Sequence, residues 1–353
     1  MPAPNPSCQR RKLLKIIVVL SGIFLSCCGL PLLWFIGNPF ERIRAAQPLA
    51  MINLNLGDTP GQHHSVGRDE LVFLNNNSEI EVYRIDANLT RLRVVPIVTK
   101  EQSRFREITA FPNSPRVAVA RFDAGPLIIN TENGLIERDF AIPDTFGVMI
   151  SPDEHWLVLR GSGQVIDLKT DQQFHLVPPL PTKVDLMGMT FVGPNALYVP
   201  QYDPDEHQLW DLTTRQLRWS VKEDNKNRLS AASVSDGARI ITCSYSGCHV
   251  FDATTGRVIH THGADRTAWS VAIHPNGDYL AGYTRHSFTL QSGLGGAVRV
   301  WNAEGKRLVT FAAHRNDKWP HIDWMAVSKS GEYLVTSGQD QVKVWDYHAI
   351  VRH

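Results

Sequence analysis

Beyond residue 48 the apolar residues come in short runs rich in β-branched and aromatic side chains, and no stretch keeps the 3.6-residue period of a long helix. Runs such as Trp156-Leu157-Val158-Leu159 and Tyr333-Leu334-Val335-Thr336 each follow a turn-forming cluster. Those clusters are Ser151-Pro152-Asp153, Gly193-Pro194-Asn195, Ser235-Asp236-Gly237, His274-Pro275-Asn276-Gly277 and Ser328-Lys329-Ser330-Gly331. Proline presets φ there, and Asp, Asn and Gly tolerate the remaining turn geometry, so each cluster predicts a hairpin. The pattern is that of an all-β domain. One segment contrasts with it. From Ile16 to Gly37 there are 22 residues without a charge, about 33 Å of helix at roughly 1.5 Å per residue, enough to cross a bilayer.

Within the all-β part the hairpins alternate with a second, recurring signal. Ile166-Asp167, Trp210-Asp211, Phe251-Asp252, Trp301-Asn302 and Trp345-Asp346 each close a run and precede a turn such as Thr254-Thr255-Gly256 or Glu304-Gly305-Lys306. The interval between them is about 40 to 50 residues, the length of a four-stranded propeller blade. The stretches from Ser337 to Asp346, SGQDQVKVWD, and from Ala297 to Asn302, AVRVWN, resemble the ends of WD repeats. The resemblance is strong over residues 140–346 and weaker over 48–139, where Glu79-Ile80-Glu81-Val82-Tyr83 keeps the strand pattern without the dipeptide.

That resemblance implies an all-β, seven-bladed WD-repeat-like β-propeller, and the uncharged run before it predicts one preceding transmembrane α-helix. Its blades are expected near residues 62–98, 105–141, 146–180, 185–222, 228–262, 268–313 and 320–350. It implies that the N-terminal strand from Leu49 to Leu56 completes the last blade, which leaves no open sheet edge except short outer strands. It also implies a structural hydrogen-bonded network of His314, Ser337, Asp340 and Trp345, which satisfies buried polar groups. In WD-repeat proteins partners usually bind where each outer strand crosses to the next blade. On that face the resemblance places Arg106, Arg228, Arg266, Lys318 and Trp319 as candidate partner-binding residues, with Arg104 beside them.

Charge settles the orientation expected of the apolar helix. Arg10, Arg11, Lys12 and Lys15 precede it, and only Arg42 and Arg44 follow closely, which holds the N-terminus in the cytoplasm. The chain then divides into a basic cytoplasmic tail (1–12), a membrane helix (13–37), a linker (38–47) and an extracytoplasmic propeller (48–353). The apolar run continues through Leu32-Leu33-Trp34-Phe35-Ile36 and is longer than the core of a cleaved signal peptide. The whole chain of 353 residues has a net charge of +1, which gives no general attraction to nucleic acid, so none is expected as a partner.

Candidate chemistry adds little. Five cysteines do not make a disulfide framework. Cys243 and Cys248 bracket a short turn, where opposed strands would bring them to bonding distance in an oxidising compartment; otherwise they are two small residues packed in a sheet. His260 and His262 share a strand face but have no third ligand at a readable spacing, so no metal site is expected. There is no Gly-x-Ser-x-Gly elbow, His-Glu-x-x-His or phosphate-binding loop. The expectation is a membrane-tethered, non-catalytic binding or scaffold protein with protein or other anionic partners and no cofactor. The competing expectation is a propeller enzyme or cofactor- or metal-binding protein with its site in the central channel.

Overall fold

The computed structural model describes residues 44–352 except 54–63, 76, 100–103, 123, 143–144, 161, 177–187, 203–204, 223–227, 234–236, 245–246, 264–267, 284–294, 315–319 and 339–340, with backbone alone at 202, 205, 228–233, 244 and 263. The expected membrane helix at 13–37 lies outside the described residues, and among those residues no helix is long and apolar enough to cross a membrane.

The described chain begins with two short strands, β1 (Arg44–Ala45) and β2 (Ala50–Asn53). Blade 1 follows as β3 (His64–Gly67), β4 (Glu70–Leu74), β5 (Glu79–Arg84) and β6 (Thr90–Pro96). Blade 2 comprises β7 (Phe105–Ala110), β8 (Arg116–Arg121), β9 (Leu127–Asn130) and β10 (Ile136–Asp139). Blade 3 is β11 (Gly147–Ile150), β12 (Trp156–Arg160), β13 (Gln164–Asp167) and β14 (Gln173–His175). Blade 4 is β15 (Thr190–Phe191), β16 (Ala196–Tyr202), β17 (Asp205–Asp211) and β18 (Gln216–Lys222). Blade 5 is β19 (Arg228–Ser233), β20 (Arg239–Ser244), β21 (Gly247–Asp252) and β22 (Val258–Gly263). Blade 6 is β23 (Ala268–Ile273), β24 (Tyr279–Tyr283), β25 (Ala297–Trp301) and β26 (Arg307–Ala312). Blade 7 has β27 (Trp324–Val327), β28 (Tyr333–Ser337) and β29 (Gln341–Asp346), and a short helix α1 (Tyr347–Val351) ends the chain.

Seven separate sheets thus form in sequence order, each blade's consecutive strands pairing antiparallel, the arrangement of a seven-bladed β-propeller. Burial explains the strand patterns. Middle strands are covered on both faces, so β4 and β12 read as continuous apolar runs, whereas outer strands such as β10 and β18 are largely exposed and polar. Apolar clusters fill the seams between neighbouring sheets. One joins Val82 and Ile80 of blade 1 to Ile108 and Val117 of blade 2, and another joins Trp156 and Val165 of blade 3 to Leu197 and Trp210 of blade 4. Withdrawing each side chain of this size from water stabilises the fold by about 1.5 to 3 kcal/mol.

Hydrogen bonds stitch every junction in turn. Going round, Ala110 N donates to Ser65 Oγ (3.1 Å), Thr109 Oγ1 to Val148 O (2.8 Å) and Trp156 Nε1 to Asn195 Oδ1 (3.2 Å). The series continues with Trp219 Nε1 to Ala253 O (2.8 Å) and Arg239 Nη1 to Ala303 O (2.6 Å). His274 Nε2 then donates to Gly331 O (2.7 Å), and Ser330 N to Asp69 Oδ1 (3.1 Å) returns to blade 1.

Ring closure follows the expected route, and residues 54–56 of the expected strand lie outside the described residues. β2 pairs antiparallel with β29, from Ala50 opposite Val344 to Asn53 opposite Gln341, and becomes the outer strand of blade 7. The segment 38–47 is not a linker throughout, because β1 adds in parallel to the outer edge of β26, Arg44 facing Phe311 and Ala45 facing Ala312. Residues 44–53 therefore span the outer edges of two successive blades. Nor is the domain all strand at its end: Asp346 accepts from Ala349 N (2.8 Å) and caps α1, whose Tyr347 and Ile350 are buried.

Candidate binding surface

The inner strand of each blade begins on the face where the chain crosses from one blade to the next. In three blades that start is bulged. Phe105 pairs with Arg121 and Glu107 with Ala120, so Arg106 is an extra residue; Leu229 and Trp269 are extra in the same way in β19 and β23. A bulge leaves its residue out of the ladder and re-aims it. Each of these residues stands second in its inner strand, at the crossover end of the blade. Trp269 is 37% exposed there, a large aromatic left partly in water.

Around Arg106 the surroundings are well ordered. Its guanidinium carbon lies 4.1 Å from the Phe146 ring centroid and 4.6 Å from that of Phe122. Both rings are held by backbone hydrogen bonds, Phe122 N to Arg104 O and Phe146 N to Arg160 O, each 2.9 Å. Both remain exposed, at 39% and 46%. Arg106 itself is half-buried, and among the described residues its guanidinium has neither a hydrogen-bond acceptor nor an ion-pair partner.

Its neighbours, by contrast, are compensated. Glu107 is buried beside Arg160, whose Nη1 lies 3.3 Å from Oε1. Burial raises the Glu107 carboxyl above its ordinary range, against the opposing pull of Arg160, the Val148 amide and Arg106. The carboxylate fits because residue 147 is glycine: a Cβ there would collide with it. Buried Arg121 donates from Nε to Gly125 O (2.6 Å) and pairs with Asp139. Among the described residues of this rim, Arg106 and exposed Arg104 are thus the cations without a hydrogen-bonded or ion-paired carboxylate.

Of the other expected partner-binding residues, Arg228 opens β19, where only its backbone is described, and Arg266, Lys318 and Trp319 lie outside the described residues. Sequence reading marked Arg106 but not Phe122 or Phe146, which belong to two different blades. The bulge that offsets Arg106 leaves no trace in the apolar pattern.

The buried network of blade 7 differs from the expected one at one position. Trp345 Nε1 donates to Thr336 Oγ1 at 2.9 Å, and His314 Nε2 meets the same oxygen at 2.9 Å. Ser337 instead donates to Gly338 O (3.2 Å). The reason is the two-residue alternation of a strand: Leu334 opposes Trp345, so Thr336 shares the Trp345 face and Ser337 points to the other. Asp340 lies outside the described residues.

Cys243 and Cys248 are directly opposed across the β20–β21 hairpin, with Cα atoms 4.1 Å apart and their sulfurs joined as a disulfide. His262 opposes Cys248 on the next strand and stacks on Trp301 of blade 6, with ring centroids 4.8 Å apart, while its Nε2 meets the Tyr279 hydroxyl. His260 shares its face, with ring centroids 6.3 Å apart. Burial first, then His260 and His249, push the His262 ring down to about 4. Among the described residues no group of three or more His, Cys, Asp or Glu side chains is placed to hold a metal ion.

No known protein-family profile matches the chain, and no curated protein matches it in sequence. In structure it is similar to a chain in a crystal structure of the mitotic checkpoint complex, with a TM-score of 0.70 at 15% identity, covering 88% of this chain and 94% of that one. At that identity the likeness is one of fold. The chain is a seven-bladed β-propeller.

Proposed function

We propose that this protein is a membrane-tethered, non-catalytic binding or scaffold propeller that takes protein partners on its crossover face. The observation that carries the reading is the pair of equivalent bulges that leave Arg106 and Trp269 out of the ladder at the crossover ends of the inner strands of two blades. Tryptophan and arginine are the side chains that most often anchor protein interfaces. The propeller-like neighbour belongs to a multiprotein complex, which is in keeping with such a role.

The tether rests on the uncharged run from Ile16 to Gly37, and the basic residues before it favour an extracytoplasmic propeller belonging to a single-pass protein. The joined Cys243 and Cys248 agree with an oxidising compartment. Protease treatment of sealed vesicles tests this part: the propeller is expected to be digested from the extracytoplasmic side alone, and digestion from the cytoplasmic side overturns it.

For the binding face, a photo-reactive phenylalanine analogue placed at 269 is expected to crosslink a partner in intact cells, and the same group at Leu135, on the opposite face, is not. Adducts from 135 alone, or equal adducts from both positions, overturn the reading.

A further inference from the structure

We infer that Arg106, set against Phe122 and Phe146, is the receptor for a carboxylate side chain in an acidic segment of a partner protein. The inference rests on the crossover face being a protein-binding surface and names the chemistry of one subsite on it. A guanidinium carries five N–H donors in a planar fork that matches a carboxylate bidentately. Those of Arg106 meet no acceptor among the described residues, although Arg121 and Arg160, on the same rim, are both paired. Contacts at 4.1 Å and 4.6 Å to two ring centroids restrain the side chain without using its donors. Little rotamer freedom is then left to lose when an anion docks, the condition under which a charged contact adds most to affinity.

The surroundings narrow the ligand further. Exposed Arg104 adds a second positive charge nearby, and Glu107 is neutralised in place by Arg160, so a carboxylate approaching Arg106 meets no free anion among the described residues of this rim. The exposed parts of Phe122 and Phe146 offer apolar surface at the same spot. An Asp or Glu followed or preceded by an aliphatic or aromatic residue satisfies both features at once. A nucleic-acid ligand fits less well, because two cations in a chain of net charge +1 supply little counter-ion release.

The test uses the full chain in detergent micelles and a phage-displayed random peptide library. Wild type is expected to enrich peptides in which Asp or Glu adjoins an apolar residue. Arg106→Ala is expected to lose that acidic preference by about tenfold or more, Arg106→Lys to regain part of it, and Phe146→Ala to lose the apolar neighbour instead. Melting curves matching wild type establish that each variant is folded. If wild type enriches peptides but Arg106→Ala selects the same acidic ones, the subsite is overturned and the binding face stands. If wild type enriches no peptides, or binds a single-stranded oligonucleotide with the Arg106 dependence in their place, both readings are overturned.

Discussion

Arg44 donates from Nη1 to the carbonyl oxygen of Ile350 at 3.1 Å, a hydrogen bond between residues 306 apart. It joins the first described strand to the last helix, next to the seam where β2 completes blade 7. Closure therefore depends on a narrow strip of chain, and the strip can be tested one face at a time. Ile52 packs with Val342 and Val344, whereas Met51, its neighbour, is 52% exposed. Ile52→Asp is expected to lower stability by about 2 kcal/mol and Met51→Asp by less than about 0.5 kcal/mol, read from urea denaturation. Equal losses would contradict the pairing register.

The shared hydroxyl of Thr336 gives a second prediction. Removing the indole donor by Trp345→Phe, or the acceptor by Thr336→Val, is expected to cost about 1 to 3 kcal/mol each. The double variant should lose less than the sum, because both changes break one hydrogen bond. Ser337→Ala should cost less than Thr336→Val, and the opposite order would restore Ser337 to the network.

Two glycines separate backbone strain from crowding. Gly134 and Gly256 lie in equivalent turns, with φ of +74° and +71°. A Cβ at 134 meets only Val95 Cγ1 at 3.3 Å, while one at 256 lies 2.9 Å from Trp219 Cδ2. Gly134→Ala is expected to cost about 1 to 2 kcal/mol from the left-handed backbone alone. Gly256→Ala should cost about 1 to 3 kcal/mol more through overpacking. Differential scanning calorimetry on the pair measures the difference.

Acid should loosen the seam between blades 5 and 6. The His262 pKa falls to about 4 in the fold from the ordinary value of 6.5, so the unfolded chain binds a proton before the folded one does. The stability His262 contributes is complete above about pH 6.5 and is lost as pH falls toward 4. The titratable groups facing it are His260 and His249 of blade 5 and Tyr279 of blade 6, with Arg239 and Glu304 acting on Tyr279. His262→Phe keeps a ring on Trp301 and removes the proton. Its melting temperature between pH 7 and 4 should fall less steeply than that of wild type.

The joined cysteines predict a mass two hydrogens below that of the reduced chain in non-reducing mass spectrometry. By loop-entropy arguments a link closing so short a loop stabilises by about 2 kcal/mol. Dithiothreitol is therefore expected to lower the melting temperature of wild type and to leave a Cys243→Ser, Cys248→Ser double variant unchanged. An unshifted mass contradicts the link.

Much of the architecture was legible because a blade writes itself twice into the chain, once as a turn before its second strand and once as an aromatic-acid pair after its third. That is why the expected limits 105–141 and 268–313 enclose the observed strands. β1 was not legible. A two-residue parallel pairing is too short for alternation to register, and its partner lies near the other end of the sequence. Thr336 and Ser337 are adjacent hydroxyl residues, distinguishable only once the register fixes which of them shares a face with Trp345. The Arg106 site was half legible: the cation stood in an expected crossover region, but its two aromatic neighbours come together only through the packing of blade 2 against blade 3.

β2 is made long before its partner and has no sheet to join until β29 appears; Asn53 and Gln341, which meet through their side chains, are separated by 288 positions. Six blades can assemble during synthesis, but the circle stays unsealed until β29 has been made. Throughout that interval a bare strand edge is on offer to any chaperone or neighbouring nascent chain, and a premature stop codon anywhere before β29 leaves it permanently without a mate.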